Sequence, residues 1–528
     1  MKNYILFVLL LLSVISCTSV KKHNSQVSRP ISVEKLKKDV NFAYNKLKKL
    51  QPALYWYISK EKLDFKFDSL KTTITKPLTS YEFYTKVTPV LNEIRQGHLA
   101  VFPNSKMYTK RESKELSKKG MGPFSQFEFM MFDNNLYVAK NNSLDSTIVV
   151  GSQIVSIDSV STDKLLKEYR KLVTSDGFNT TFFKHQLPKR FSNFYVNENG
   201  VKDSLLYQFK FNDSVKNVWI TRKKIAESKE IAKDSVVKKL TKEEKKKKAL
   251  AHKKEIIYNS KNGYDHIKKE FQRSISFIEK DSSVAVLKIK SFSIGNFQPF
   301  YKEAFKRIQN NKSKTLILDL RNNPGGRLSE INYLYSFVAD SAIAFADKSE
   351  VVSKTSFFKR DYFGGGLLTN VAKTLAYPLY ASYIYLKVKK EGDKYYFYTN
   401  ENKVKPLQEN RFKGKMYVLI DGGSFSASSI ISSNLKGSKR AVFVGEETGG
   451  AFNGTVAGQM PIVELPNSKV KIRVGLMKIA AHYKTDEEGH GIRPDVEMIP
   501  TLEDKIKGND PEMKWILDDI NQNNLDAK

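Results

Sequence analysis

Residues 414–437 read GKMYVLIDGGSFSASSIISSNLKG, and this stretch decides the fold class. An apolar run ends at Ile420, and Asp421, Gly422 and Gly423 then form a tight turn. The Ser- and Ala-rich run that follows starts a helix. A strand-to-helix turn of this kind exposes hydroxyls beside the first N–H groups of the helix. Those amides can stabilise an oxyanion, so the placement suits a nucleophilic serine. Four serines stand within six residues (Ser424, Ser426, Ser428 and Ser429), and one of them is also wanted as N-cap. Pattern alone does not choose among them.

A second turn of the same type lies upstream in ILDLRNNPGGR (317–327), where a buried strand ends at Leu320. Paired glycines let the backbone come close to a ligand and aim N–H groups at it. Two glycine-bounded turns at strand ends mark the edge where α/β sheets bind ligands. Asp319 and Arg321 read as a structural pair supporting the upstream turn. Around them the pattern alternates. SVAVLKIKSF (283–292) is a strand, FQPFYKEAFKRIQNN (297–311) a helix, SEINYLYSFVA (329–339) a helix and AVFVGEE (441–447) a strand. This alternation predicts a mixed α/β domain with parallel strand pairs over 283–505, followed by a C-terminal helix or tail over 506–528. The Tyr- and Lys-rich stretch 350–410 has weak periodicity and yields no assignment.

Working outward, 31–118 reads as a helical unit. VEKLKKDVNFAYNKLKKL (33–50) places apolar residues at helical spacing with Lys on the other face. A second helix is predicted over 80–95, and HLAVF (98–102) follows as a short strand. Over 119–220 short strands are separated by Asn- and Asp-containing turns, with a helix over 162–172. Within it, VVGSQIVSIDSVSTDKLLKEY (149–169) resembles the core of a PDZ domain, a module that captures extended peptide ends by adding a strand to a sheet edge.

The chain has 528 residues, enough for about three folded units. With 40% hydrophobic and 12% aromatic residues it can build real cores, which excludes wholesale disorder. The formal net charge is +33, and 221–270 contributes 17 Lys or Arg against 8 Asp or Glu. The remaining positive charge is diffuse, and no aromatics are interleaved in TKEEKKKKALAHKKE (241–255). Nucleic-acid binding is therefore not expected, and 221–260 reads as a Lys-rich insertion or linker, helical or disordered.

The N-terminus begins with Lys2 and an apolar run over 5–15 broken only by Ser13. This is a secretory signal, too short for a comfortable membrane span. VISC (14–17) resembles a bacterial lipobox, which implies acylation of Cys17 and a polar tether over 18–30. Cys17 is the sole cysteine, so no intramolecular disulfide can form. The expected location is a bacterial cell envelope, with the chain lipid-anchored to a membrane.

DLRNNPGG and GGSFSASSI together resemble the tail-specific, or C-terminal-processing, family of serine peptidases. The resemblance implies a ClpP/crotonase-like α/β fold, peptide or protein substrates and no cofactor. It places the nucleophile at Ser426, one oxyanion donor at the amide of Ala427 and the other at Gly325 or Gly326. One branch of the family uses a lysine 25 residues after the serine. In GEETGGAFNGTV (445–456) Ala451 occupies that place, so a Ser-Lys dyad is not supported. The tricorn-like branch uses Ser, His and Glu instead. EIRQGHLAVF (93–102) then offers His98, and EEGHGIRPD (487–495) offers Glu488, with Glu487 as the near alternative. Chemically, histidine is the commonest partner for a weakly nucleophilic hydroxyl, and a carboxylate holds its tautomer. His482 and His490 rival His98 for proximity to Glu488. With Asp486 they match no helical zinc spacing, so no metal is expected. The lost lysine also admits a catalytically silent peptide-binding lipoprotein that keeps the fold.

Overall fold

The computed structural model describes residues 19–224, 241–278, 282–359 and 367–526. The signal segment, Cys17 and part of the Lys-rich insertion lie outside these residues. The centre is a six-stranded sheet in the order Arg273–Ile278, Val284–Ile289, Thr315–Asp319, Lys415–Ile420, Val442–Gly445, Val496–Glu497. The first pair is antiparallel and the rest are parallel. Strands buried on both faces read as apolar runs rather than alternations. Accordingly every residue of Thr315–Asp319 is buried. Alternate residues feed two cores. Leu316, Leu318, Val418 and Ile420 join the large core with the helices Phe297–Asn310, Leu328–Val338 and Ala427–Gly437. Ile317, Tyr417, Leu419 and Val444 face Ile516 and Ile520 of the C-terminal helix Pro511–Asp526, which closes the other side.

In the parallel register Leu318 lies beside Val418 and Asp319 beside Leu419. The two glycine-bounded turns therefore emerge together. The Asp421 carboxylate accepts from the Asn322 backbone N–H at 2.7 Å and from its amide at 2.9 Å. Phe425 N–H donates to Asn323 O, and the Ser424 hydroxyl to Leu320 O. Asp319 and Arg321 pair through two bonds of 3.0 Å, and Arg321 also grips Asp510 at the start of the C-terminal helix.

The helical unit comprises Val33–Leu50, Lys60–Thr73 and Ser80–Asn92. Its last helix is started by a capping box between Thr79 and Glu82. The strand Ala100–Phe102 then pairs antiparallel with Lys471–Arg473, tying this unit to the far end of the chain. A second tie is the fully buried Asp39. Its carboxylate accepts from Ser468 N–H and hydroxyl at 2.6 Å each and from the Asn467 side chain at 2.8 Å. Buried charge is tolerable only when hydrogen-bonded in this way. Asp39→Ala strands those buried donors and is expected to lower stability by about 3 kcal/mol, read from urea denaturation.

The β-rich unit forms an antiparallel sheet in the order Phe127–Phe132, Asn135–Asn141, Gln153–Ile157, Ser204–Phe211, Ser214–Thr221. Beside the helix Thr162–Arg170 stands a second helix, Thr181–Asn199, that the strand-like reading of this region passed over. Its Phe182, Leu187, Phe191 and Tyr195 are buried, a helical spacing masked by Pro188 and by the aromatic content. The Lys-rich stretch contains the helix Lys242–Asn262, with no buried residue. The unassigned stretch contains the helix Leu367–Lys387 and the hairpin Val388–Glu391 with Lys394–Phe397.

Candidate active site

Ser426 sits at the N-cap of the helix Ala427–Gly437 with φ 60° and ψ −120°. A non-glycine residue in this region is strained, and the strain lifts the side chain out of the turn. Of the four serines, Ser424, Ser428 and Ser429 are buried, whereas Ser426 is partly exposed. The Ser424 and Ser429 hydroxyls are bound to backbone carbonyls. Only Ser426 is met by a histidine. His98 Nε2 lies 2.9 Å from Ser426 Oγ, hydrogen-bond distance for a hydroxyl donating to a neutral imidazole. Three distant parts of the chain set this contact. Arg473 Nε donates to His98 O at 3.0 Å, and the Phe425 ring packs 4.9 Å from the imidazole. Gly97 supplies the clearance, because a Cβ there would stand 2.7 Å from Phe425 Cζ.

Packing around the His98 ring, with the Arg473 guanidinium adding to it, pushes its pKa down to about 3. The imidazole is thus neutral over the ordinary pH range, the form whose ring nitrogen can accept from the Ser426 hydroxyl.

Glu488 does not meet His98. Its carboxylate accepts from Trp56 Nε1 at 3.1 Å and from the Asn453 amide at 2.9 Å. Among the described residues no carboxylate pairs with the His98 ring. The alternative, Glu487, is taken by Arg493. His490 pairs with Glu447 at 3.6 Å, and His482 packs edge-on against Tyr483, so neither approaches Ser426 by a hydrogen bond. No group of His, Cys, Asp or Glu among the described residues could hold a metal ion.

A carboxylate that sequence reasoning missed is bound to the residue before His98. Asp176 is buried, and its Oδ1 accepts from the Gly97 N–H at 2.7 Å, the peptide next to His98. Burial raises its pKa to about 6 against the pull of the Gly97 N–H, the Thr455 hydroxyl and the Ala451 backbone. Ala451, at the place of the absent lysine, is thus packed against this carboxylate. Burial also pushes the Tyr57 phenol far up, and the Asp176 and Glu488 charges add to it. Nothing in TSDGFN (174–179) marks that aspartate, because a lone Asp-Gly step is an ordinary turn.

The backbone donors separate as well. Gly325 N–H donates to Asn323 Oδ1 at 2.9 Å and is engaged within its own turn. Gly326 pairs as an isolated bridge with Phe292 through the bonds of its neighbours, Gly325 O and Arg327 N. That pattern turns its own N–H away from Phe292. Ala427 N–H is the first of its helix, where no intrahelical acceptor exists.

An exposed hydroxyl at a strand-to-helix turn, a neutral imidazole upon it and backbone donors beside it form the arrangement of the serine-hydrolase class. Residues 283–498 match the model of peptidase family S41, the match that the two glycine-turn motifs lead one to expect. The chain is 28% identical over 221 residues to a carboxy-terminal-processing protease of Bartonella bacilliformis, covering 42% of this chain and 39% of that protein. It is 27% identical over 194 residues to a tail-specific protease of Haemophilus influenzae, covering 36% and 21%. The match thus spans well under half the length of either relative. In fold the chain is similar to mature CPAF, at 15% identity and TM-score 0.55, covering 90% of this chain and 95% of that one. The complex of mature CPAF with lactacystin gives TM-score 0.57 at 14% identity, covering 92% and 97%.

Proposed function

We propose that the protein is a serine endopeptidase that cleaves peptides or proteins of a bacterial envelope through an acyl-enzyme on Ser426. The 2.9 Å contact between His98 Nε2 and Ser426 Oγ carries this reading. Ser426 Oγ attacks the peptide carbonyl carbon while its proton passes to His98 Nε2. The carbonyl oxygen takes the negative charge and is held by the N–H groups of Ala427 and Gly326, in preference to the engaged Gly325. Collapse breaks the C–N bond, and His98 returns the proton to the leaving amine. Water then attacks the ester carbon while His98 accepts its proton, and the C–Oγ bond breaks as His98 returns that proton to Ser426 Oγ, freeing the carboxyl product. Asp176 braces the Gln96–Gly97 peptide, one residue before His98, and Glu488 acts one step removed, locking Trp56 and Asn453 around the site. The β-rich sheet would capture an extended segment as a PDZ-like module does, and an acyl chain on Cys17 would hold the protein at a membrane.

A fluorophosphonate probe tests the core of this reading. Tryptic mapping of the labelled protein is expected to place the phosphonyl group on Ser426. A folded protein that takes no label under forcing probe concentrations points instead to a silent peptide-binding member.

The histidine has a measurable pH signature. Its folded pKa lies below its ordinary value of about 6.5. The stability it contributes is therefore complete above about 6.5 and is lost as pH falls toward 3. Asp176 runs the other way. Its raised pKa gives stability present below about 4 and lost as pH rises through 6. Comparing wild type with His98→Gln cancels the Asp176 effect. Between pH 7 and 4.5, wild type is expected to lose about 2 kcal/mol more than His98→Gln in urea denaturation. Equal losses would mean that His98 titrates normally.

A further inference from the structure

The helix Leu367–Lys387 carries an apolar stripe that faces outward. Leu375, Leu379 and Leu386 are 78%, 77% and 74% exposed, and Val371, Tyr383 and Tyr385 are about half exposed. At 100° per residue these six side chains occupy one arc of about 160°. The opposite side is the one that packs on the protein. Ile384 is buried, Tyr380 lies against the core, and the Tyr377 hydroxyl donates to Phe358 O at 3.1 Å. Exposed apolar residues that stand singly, such as Phe65 or Ile267, are normal for a surface.

The charge around the stripe selects its occupant. The helix contains no Asp or Glu, and Lys387, Lys389 and Lys390 follow at its end. Lys354 Nζ sits 4.3 Å from the Tyr385 ring centroid and Lys387 Nζ 5.6 Å from that of Tyr383. Leu375 and Leu379 in the middle, Tyr383, Tyr385 and Leu386 toward one end and a lysine cluster at that end fit a helix lying in the plane of an anionic bilayer. There the rings and ammonium groups sit at headgroup level. No described helix is long and apolar enough to cross a membrane, so the helix would lie upon it. A second copy of the chain is a poorer partner, because two molecules of net charge +33 repel one another.

We infer that Leu367–Lys387 is a membrane-docking helix that seats the Val371–Leu375–Leu379–Leu386 stripe in the headgroup–acyl boundary of an anionic leaflet. This stands independently of the peptidase reading. It also gives the protein a contact with lipid besides any acyl anchor. Docking at this helix would fix the face that the molecule turns toward the membrane.

The chain from Thr18 onward, which keeps every described element and has no acylation site, tests the inference with sucrose-loaded vesicles. The vesicles are phosphatidylcholine alone or phosphatidylcholine with phosphatidylglycerol. Wild type is expected to co-sediment with the anionic vesicles. The variant with Leu375→Ser, Leu379→Ser and Leu386→Ser is expected to lose partitioning at least about tenfold, with an unchanged thermal midpoint. The variant with Lys387→Gln, Lys389→Gln and Lys390→Gln is expected to weaken binding to the anionic vesicles and leave binding to neutral ones unchanged. Should the triple leucine variant destabilise the fold, the single Leu375→Glu variant gives the same reading. The inference is overturned if either leucine variant sediments like wild type. It is also overturned if wild type is a dimer that these variants dissociate, which would assign the stripe to a second copy.

Discussion

Ser426→Ala and His98→Ala are each expected to reduce kcat/KM on a cleavable peptide by about 10⁴ to 10⁶, and the double variant to fall no further. The reason is mechanical coupling. A serine hydroxyl without its base is a poor nucleophile, and a base without its hydroxyl has no proton to take. Each single loss therefore removes the same step. Neither change should disturb the fold. Alanine at 426 keeps one Cβ in the same strained backbone, and Ser426 makes no side-chain capping bond that would be lost. His98 is only partly buried, and its imidazole touches a Phe425 ring that can relax. Progress curves at saturating and limiting peptide, with circular dichroism as the fold control, decide the matter. If His98→Ala keeps activity within tenfold of wild type, the imidazole is not the base. Among the described residues no second side chain hydrogen-bonds the Ser426 hydroxyl.

The parts of this site legible in the sequence are those whose cause is local. An apolar run ended by Asp-Gly-Gly or Asn-Asn-Pro-Gly-Gly specifies a strand and the turn that closes it, whatever the rest of the chain does. The central α/β unit could therefore be read directly. His98 is different. It lies 328 residues from Ser426, and the approach depends on the pairing of Ala100–Phe102 with Lys471–Arg473. Nothing in EIRQGHLAVF encodes that partner, and resemblance to a family was needed to single out this histidine. Glu488 was reached by the same route, but the resemblance carried no geometry, and its carboxylate is turned to Trp56 and Asn453. Asp176 was invisible because its significance is burial, which one Asp-Gly step does not announce. The choice between Gly325 and Gly326 could not be made from two adjacent glycines. It turns on the Asn323 side chain folding back on the Gly325 amide. The helix Thr181–Asn199 was passed over for another reason. Its aromatic content suits a strand, and only packing against the β-rich sheet selects the helix.

Gly325→Ala is expected to lower kcat/KM by about 10³ or more while leaving the chain folded. Gly325 has φ +95°, where an L side chain is strained. Space is also lacking. A Cβ there would lie 2.7 Å from Ala427 N, 2.7 Å from Phe425 O and 2.8 Å from Ser426 Cβ. All three neighbours belong to the nucleophile turn, and two are backbone atoms that cannot swing aside. The methyl group must push that turn away from the Asn322–Arg327 loop, shifting the Ala427 N–H relative to the Gly326 N–H. Donors that must converge on one oxygen lose most of their effect when displaced by a few tenths of an ångström. The loss should fall on kcat more than on KM, because the oxyanion exists only in the transition state. Gly392→Ala separates this geometric effect from backbone strain. Gly392 has φ +57° and nothing within 4 Å of its would-be Cβ, so it pays the strain without moving a neighbour. It should cost about 1 kcal/mol of stability and leave activity unchanged. If the two alanine variants lose activity equally, the crowding at Gly325 is irrelevant to the chemistry, and the Gly-Gly turn shapes the loop without placing a donor.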